Sequence, residues 1–376
     1  MKDQINVGLV GIGFMGKAHS NAYMNLNHFF DLPFKVEMTA ACDSNTERLD
    51  KFCNKFDWKS KETDFHDLIE RNDIDIIDIC TPNAMHYPIA ISAIKNKKHI
   101  ICEKPIALNA DEARKMWETA EENKIKHMVG FNYRRVPALQ LAKQFIDEGK
   151  FGKIRHFNAV YYQDWLLNPD FPIVWRHSIK ESGSGTHGDQ NAHIVDLARF
   201  FVGEIEAVCG AKEIFIKERP IEGSEEKGVV TADDAAQFMA KFRNGALGSF
   251  IASRFATGKK NFLRLEVFGS KGAFSFNLER MNELNIFSVD DDLAEQGFKT
   301  ILVTESVHPY INAWWPPGHI IGWEHTFIHE IKDFVEAIAE NKTASPNFYD
   351  GYKCQEVLDA AYKSFDTQKW EEIKQD

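Results

Sequence analysis

The first residues with chemical potential are three glycines at fixed spacing. The segment Val7-Gly8-Leu9-Val10-Gly11-Ile12-Gly13-Phe14-Met15-Gly16 carries G-x-G-x-x-G directly after an apolar run, and Lys17 to Asn25 can continue as a helix. Gly11 permits a tight turn, Gly13 lets a pyrophosphate approach the backbone, and Gly16 lets the helix pack on the strand while its first N–H groups face the anion. A glycine-rich turn that binds nothing is the bland alternative. A second apolar run ends at Asp43, whose carboxylate can accept hydrogen bonds from two ribose hydroxyls and would repel a 2′-phosphate. Ser44 and Asn45 follow it rather than an arginine, which predicts NAD over NADP, with Arg48 as the residue that opposes this reading. Two further segments, Cys80-Thr81-Pro82-Asn83 and Cys102-Glu103-Lys104-Pro105, close apolar runs at strand ends, where doubly wound sheets bind ligands. The expected cofactor contacts in this half are Gly11, Gly13, Phe14, Met15, Gly16, Asp43, Ser44, Thr81, Pro82, Asn83, His86, Glu103 and Lys104.

These residues need a scaffold, and the rhythm of the chain supplies one. Up to about residue 130, apolar β-like runs at Ile5 to Val10, Val36 to Cys42, Ile74 to Cys80, His99 to Cys102 and His127 to Phe131 alternate with amphipathic helical stretches. That alternation predicts an α/β Rossmann domain, a doubly wound parallel sheet, over residues 1–130. From 131 to 376 the pattern turns strand-rich, with runs at Ile154 to Tyr162, Ala236 to Phe242, Ala246 to Phe255, Phe262 to Phe268 and Ala273 to Phe276. Helices are expected around 187–202, 320–340 and 350–365, and Asn244-Gly245 suits a type I′ hairpin turn. This half is predicted to be an α+β substrate-binding and oligomerisation domain with a large, mainly antiparallel open sheet. Its last helices are allowed to pack back on the first domain.

The balance of 45 basic and 56 acidic residues, a net charge of -11, disfavours nucleic-acid and anionic-membrane partners. No stretch reaches about 18 consecutive apolar residues and no secretory leader is legible, so the reading is of a cytoplasmic protein. The six cysteines are scattered without C-x-x-C pairs, which fits reduced thiols and no structural zinc.

The glycine fingerprint, the E-K-P segment at Glu103-Lys104-Pro105 and the helix-borne Asp189-Gln190-Asn191-Ala192-His193 together resemble the glucose-fructose oxidoreductase / inositol dehydrogenase (Gfo/Idh/MocA) family. The glycine-rich Ser182-Gly183-Ser184-Gly185, the pair Trp175-Arg176 and the segment Asn132-Tyr133-Arg134 match the family's other landmarks in order. Gln163-Asp164-Trp165 and Trp314-Trp315-Pro316-Pro317-Gly318-His319 are similar to its sugar-oxidising members. Residues 187–191 read His-Gly-Asp-Gln-Asn, where many members have a glycine before the last residues of the motif. The resemblance implies an NAD-dependent dehydrogenase that oxidises a secondary hydroxyl of a sugar, anhydrosugar or cyclitol to a ketone. It places Lys104 near the nicotinamide, adds Asn132, Trp175 and Arg176 to the cofactor contacts, and offers Tyr133, Arg134, Gln163, Trp165, His319 and His325 as substrate contacts.

Alcohol oxidation needs a hydride acceptor, a group that takes the hydroxyl proton, and polar groups that hold the carbinol carbon. On a regular helix, positions 189 and 193 share a face. His193 is the expected general base, Lys104 the polariser or proton relay, and Asp189 the group that orients a neighbouring hydroxyl. The bland alternatives are a surface lysine, a core histidine, and an aromatic core in place of a sugar-stacking wall of Trp165, Trp175, Trp314 and Trp315. His187, Asp189 and His193 as metal ligands are a further alternative, although no additional ligand cluster supports them and no metal is expected. A non-catalytic nucleotide- or sugar-binding regulator and an NADP-linked carbonyl reductase are the rival functions. The resemblance, with the low cost of a cis X-Pro bond, implies a cis Lys104-Pro105 bond, and a homodimer or homotetramer formed through the open sheet is expected.

Overall fold

The computed structural model describes residues 3–374. The chain forms two compact units, one running to Arg135 and including Gly322–Lys353, the other Val136–Ile321 and the stretch from Cys354 onward. The sequence rhythm marks one boundary near residue 130, whereas the chain crosses between the units three times.

The first unit alternates strand and helix as β1 (Gln4–Val10), α1 (Phe14–Phe29), β2 (Lys35–Cys42), α2 (Thr46–Phe56), β3 (Ser60–Glu62), α3 (Phe65–Glu70), β4 (Ile76–Ile79), α4 (His86–Lys95), β5 (His99–Glu103), α5 (Ala110–Glu122) and β6 (His127–Gly130). All six strands are parallel in the order β3-β2-β1-β4-β5-β6, the doubly wound sheet expected. Strands β1, β4, β5 and β6 are almost wholly buried because helices cover both faces. The edge strand β3 is three polar residues, which gave it no apolar signature in the sequence. The helix His325–Ala339 also belongs to this unit and buries Phe327, Ile328, Ile331, Phe334 and Val335.

The second unit is built on a nine-stranded sheet. Its strands are β7 (Ile154–Tyr162), β8 (Ile205–Glu213), β11 (Ala235–Phe242), β12 (Leu247–Ser253), β13 (Phe262–Gly269), β14 (Gly272–Asn277), β15 (Glu283–Ser288), β16 (Lys299–Leu302) and β17 (Glu371–Glu372), while β9 (Glu218–Pro220) and β10 (Lys227–Val229) form a separate ribbon. The order is β16-β15-β14-β13-β7-β12-β11-β8-β17, and every neighbouring pair is antiparallel except β7 and β12. The sheet is therefore mainly antiparallel, as expected. Period-two burial runs along β7, β11 and β12, so one face is core and the other is not. Phe157, Ala159 and Tyr161 point inward, towards the buried helix Ala192–Phe201.

Two local expectations need correction. In the Asn244-Gly245 turn only Gly245 has positive φ, 87°, so the turn is not type I′. The Asn244 side chain donates to the Val202 carbonyl at 2.8 Å and accepts from the Ala246 N–H at 3.0 Å, which holds it outside the left-handed region. The helix expected over 187–202 begins as a π-helical turn, His187–Asn191, before regular α-helix from Ala192 to Phe201. Asp189 lies in the wider turn and His193 in the regular one, so the simple i, i+4 geometry does not describe the pair.

Candidate active site

Helix α1 opens at Gly13 with no side-chain cap and no acidic residue in its first turn, whereas α2 and α5 are capped by Asn45 and Asn109. Its leading N–H groups thus keep their affinity for an anion. The three glycines have different reasons to be glycine. Gly11 has φ +96°, and an added Cβ would lie 2.6 Å from the Cys80 carbonyl oxygen. At Gly16 a Cβ would lie 2.2 Å from the Gly11 oxygen. At Gly13 it would meet nothing within 4 Å. The protein's own packing requires the first and third glycines, while Gly13 borders open space. Phe14 is exposed at this turn and stacks on Trp323 at 5.5 Å.

Asp43, half-buried after β2, accepts the Asn45 N–H at 2.9 Å through one oxygen and faces the Ile12 N–H at 3.5 Å with the other, beside the glycine turn. This arrangement fits a dinucleotide: the turn would hold the pyrophosphate and Asp43 the ribose diol, and a bound nicotinamide would supply a hydride acceptor. Further along the sheet, His86 is fully buried and its ring nitrogens face the Pro105 carbonyl at 2.8 Å and the Thr81 carbonyl at 3.0 Å. It fastens two strand ends to each other. Burial lowers its pKa. The Lys104-Pro105 bond is cis, as expected. The Lys104 N–H donates to the Glu103 carboxylate at 3.2 Å. Asn132 donates to the Thr326 hydroxyl at 2.8 Å, and the buried Arg134 pairs with Asp350 at 3.3 Å, so these side chains are engaged within the unit's interior beside the buried Tyr133. His325 is half-buried at the start of its helix and accepts the Gly322 N–H at 3.1 Å.

In the second unit the π-turn is anchored by a buried carboxylate. Asp233 accepts the Gly185 N–H at 2.7 Å and the His187 N–H at 2.8 Å, and its carbonyl accepts the Thr186 N–H at 2.9 Å. A Cβ on Gly185 would overlap the Asp233 oxygen at 1.9 Å, so only glycine permits this close approach. His187 has one ring nitrogen on the Leu358 carbonyl at 2.9 Å and the other on the Asn191 amide at 3.0 Å, which makes it a core histidine and removes it from a ligand set.

Asp189, about one-third exposed, pairs with the almost wholly buried Arg254 at 2.7 Å. The Arg254 guanidinium lies 5.5 Å from the centre of the Trp165 ring. Trp165 Nε1 donates to Gln163 at 3.0 Å, Gln163 donates to Asn261 at 3.0 Å, and the Tyr161 hydroxyl donates to the same Asn261 oxygen at 2.7 Å. The Tyr161 ring lies 5.9 Å from the ring of the buried His193. An ion pair, three hydrogen bonds and two ring contacts thus join Asp189, Trp165, Gln163 and His193 in one row. Trp175 and Arg176 stack on each other at 4.3 Å in a short 3-10 turn. The next residue, His177, has its pKa pushed down to about 4 by burial and by Arg219 and Arg254. His319 sits in an exposed loop with its ring on the Pro316 carbonyl at 2.9 Å.

Sequence reading missed Arg254, Asn261 and Tyr161, and in the first unit His19, which lies between Asp78 and Glu103. Each lone residue had no motif. The only available signal was Arg254 at the end of an otherwise apolar strand run.

A parallel sheet with an uncapped first helix above open space and a carboxylate closing its second strand defines a dinucleotide-binding α/β protein, here continued by a second unit with an acid and a histidine in one row. The family described as "Oxidoreductase family, NAD-binding Rossmann fold" matches residues 5–131, and the "GFO/IDH/MocA C-terminal domain" matches residues 139–275. The chain is 40% identical over 385 residues to a levoglucosan dehydrogenase of Pseudarthrobacter phenanthrenivorans, covering 99% of this chain and 98% of that one. An oxidoreductase domain protein from Kribbella flavida superposes with a TM-score of 0.97 at 46% identity over 100% of both chains. A levoglucosan dehydrogenase in complex with NADH and levoglucosan gives 0.96 at 40% identity, over 99% of this chain and 100% of that one. The chain belongs to the Gfo/Idh/MocA family of NAD-binding oxidoreductases. Among the described residues no helix is long and apolar enough to cross a membrane.

Proposed function

We propose that this protein is an NAD-dependent dehydrogenase that oxidises a secondary hydroxyl of a sugar or anhydrosugar, with a cyclitol as the neighbouring substrate class. The observation that carries the reading is the row in the second unit that joins Asp189, through Arg254, Trp165, Gln163, Asn261 and Tyr161, to His193. An ionised acceptor, a tryptophan face and amide donors are the groups that recognise a polyhydroxylated ring. The likeness over nearly the whole chain to a levoglucosan dehydrogenase supports the same substrate class. His193 takes the hydroxyl proton, Asp189 accepts a hydrogen bond from a neighbouring hydroxyl, and Lys104 holds the reacting oxygen with its ammonium group. The test is NADH formation by the purified protein with a panel of sugars, anhydrosugars and inositols. Turnover with the anhydrosugar or sugar arm is the expected result, and NADH formation with none of them overturns the reading.

The same reading includes a homodimer or homotetramer. The uncovered face of the nine-stranded sheet carries exposed Met239 and Leu247 with Ile251, Val160, Tyr162 and Phe262 among polar neighbours such as Lys241 and Arg264, a mixed surface that a second copy can cover. Light scattering at micromolar concentration should give a multiple of 43.1 kDa, and a monomeric mass removes this part. A reducing, cytoplasmic setting is supported by six free cysteines, and cell fractionation tests it.

A further inference from the structure

The interior of the first unit holds a row of titratable groups that the proposed chemistry does not use. His19, on α1, is fully buried with Nδ1 at 2.8 Å from Asp78 Oδ2 and Nε2 at 3.1 Å from Glu103 Oε1. The Tyr23 hydroxyl donates to the same Asp78 oxygen at 2.9 Å, and the Cys80 thiol reaches the other at 3.5 Å. From the helix His325–Ala339, the buried Glu330 faces the row, and neither of its oxygens has a hydrogen-bond partner among the described residues. Burial, with Glu103 nearby, raises the Glu330 pKa well above the usual carboxylate range.

His19, Asp78 and Cys80 have the composition of a metal site. Burial raises the Cys80 thiol pKa far above neutrality, however, and the short His19–Asp78 contact is a hydrogen bond, so the set forms a proton-sharing row. A neutral imidazole has one N–H, and two carboxylates face its two nitrogens. Filling both contacts requires one more proton. Burial alone would lower the His19 pKa, but Asp78 more than offsets this and raises it.

The row ends at Lys104. Glu103 bonds His19 with Oε1 and accepts the Lys104 N–H with Oε2, while the peptide on the other side of Lys104 is held by His86 on the Pro105 carbonyl. Gly130 leaves room for the Glu103 carboxylate, since a Cβ there would lie 2.8 Å from Oε1. We propose that His19 is a positioning residue for Lys104, acting through Glu103: by donating to Glu103 Oε1 it turns Oε2 onto the Lys104 N–H and fixes where that side chain leaves the strand end. The proposal rests on the reading of Lys104 as a group that holds the reacting oxygen.

The variant His19→Gln sets an amide oxygen against a carboxylate. Combined with Glu103→Gln, it restores N–H to oxygen complementarity along the row. His19→Gln should lower kcat by about 10- to 100-fold with little change in NADH affinity, and the double variant should regain at least about fivefold over it. Lys104 acetylation by acetic anhydride, read by mass spectrometry against the exposed Lys180, gives a readout independent of turnover. His19→Gln should shift that ratio about threefold and the double variant should reverse the shift. A merely structural His19 predicts independent losses and an unchanged labelling ratio, and either outcome overturns the proposal. If no sugar is oxidised the functional reading falls, while the labelling ratio still decides this one. If His19→Gln does not fold, Gly130→Ala crowds Glu103 with every titratable group kept, and an unchanged Lys104 labelling ratio there overturns it equally.

Discussion

Replacing the glycines of the first turn one at a time separates what the protein needs for itself from what it keeps for a ligand. Gly11→Ala places a side chain at φ +96° with its Cβ 2.6 Å from the Cys80 oxygen and 2.7 Å from the Cys80 carbon, both backbone atoms that cannot rotate away. Left-handed backbone costs about 1–2 kcal/mol, and overpacking adds about 1–3, so a loss of roughly 3 kcal/mol follows. Gly13→Ala meets no protein atom within 4 Å, and its φ of -70° is one that alanine adopts. The poorer N-cap costs about 0.5–1 kcal/mol, roughly a 2 °C fall in Tm. The added methyl would occupy the place of an approaching pyrophosphate oxygen, and losing one or two charge-assisted hydrogen bonds at about 1.5–3 kcal/mol each weakens binding by about 10- to 10,000-fold. Thermal melts without nucleotide and NADH fluorescence titrations measure the two effects. Gly13→Ala should melt near the unmodified protein and bind NADH poorly, whereas Gly11→Ala should lose stability first. A Gly13→Ala protein with full NADH affinity, or one as unstable as Gly11→Ala, refutes the assignment of that space to the cofactor.

Lys104→Ala and His193→Ala should each lower turnover by about 100- to 10,000-fold while NADH titrations remain close to those of the unmodified protein. Near-normal turnover and an unchanged pH profile in His193→Ala would make His193 structural. Arg254→Leu removes the buried partner of a partly exposed Asp189, and a sugar KM raised by about 10-fold or more is expected, with NADH binding unchanged; an unaffected KM would separate Asp189 from sugar recognition. Asp43→Ser should weaken NAD binding, and adding Ser44→Arg should favour NADP, whereas equal use of both cofactors by the unmodified protein refutes the role of Asp43. Burial brings the His329 pKa down to about 3, against about 6.5 in the unfolded chain. The unfolded chain therefore binds a proton below pH 6.5 that the fold refuses, and stability should fall on acidification from 6.5 by up to about 1.4 kcal/mol per pH unit for this residue. His329→Gln should flatten the Tm profile between pH 6.5 and 4, and a slope equal to that of the unmodified protein would refute this account.

Local rules were enough for much of the first unit. A glycine turn, a carboxylate after a second apolar run and alternating β and α segments state their chemistry within short windows, because turn geometry, helix termini and strand burial act between near neighbours. The steric need for glycine at positions 11 and 16 and the parallel sheet accordingly appear in the structure as the sequence implied. The open antiparallel sheet was legible for the same reason, through period-two burial. What depended on distant partners was not. Arg254 meets Asp189 from 65 residues away, and Glu103 meets His19 from 84, and no spacing in a linear chain announces such a pair. The π-turn at His187–Asn191 arises where the buried Asp233 pulls on Gly185 and His187, so the face that Asp189 presents is set by another segment's carboxylate and not by helical periodicity. Burial and long-range pairing decide which polar side chains are engaged in the interior, as in Arg134 on Asp350 and His187 on Leu358, and only the folded chain brings those partners together.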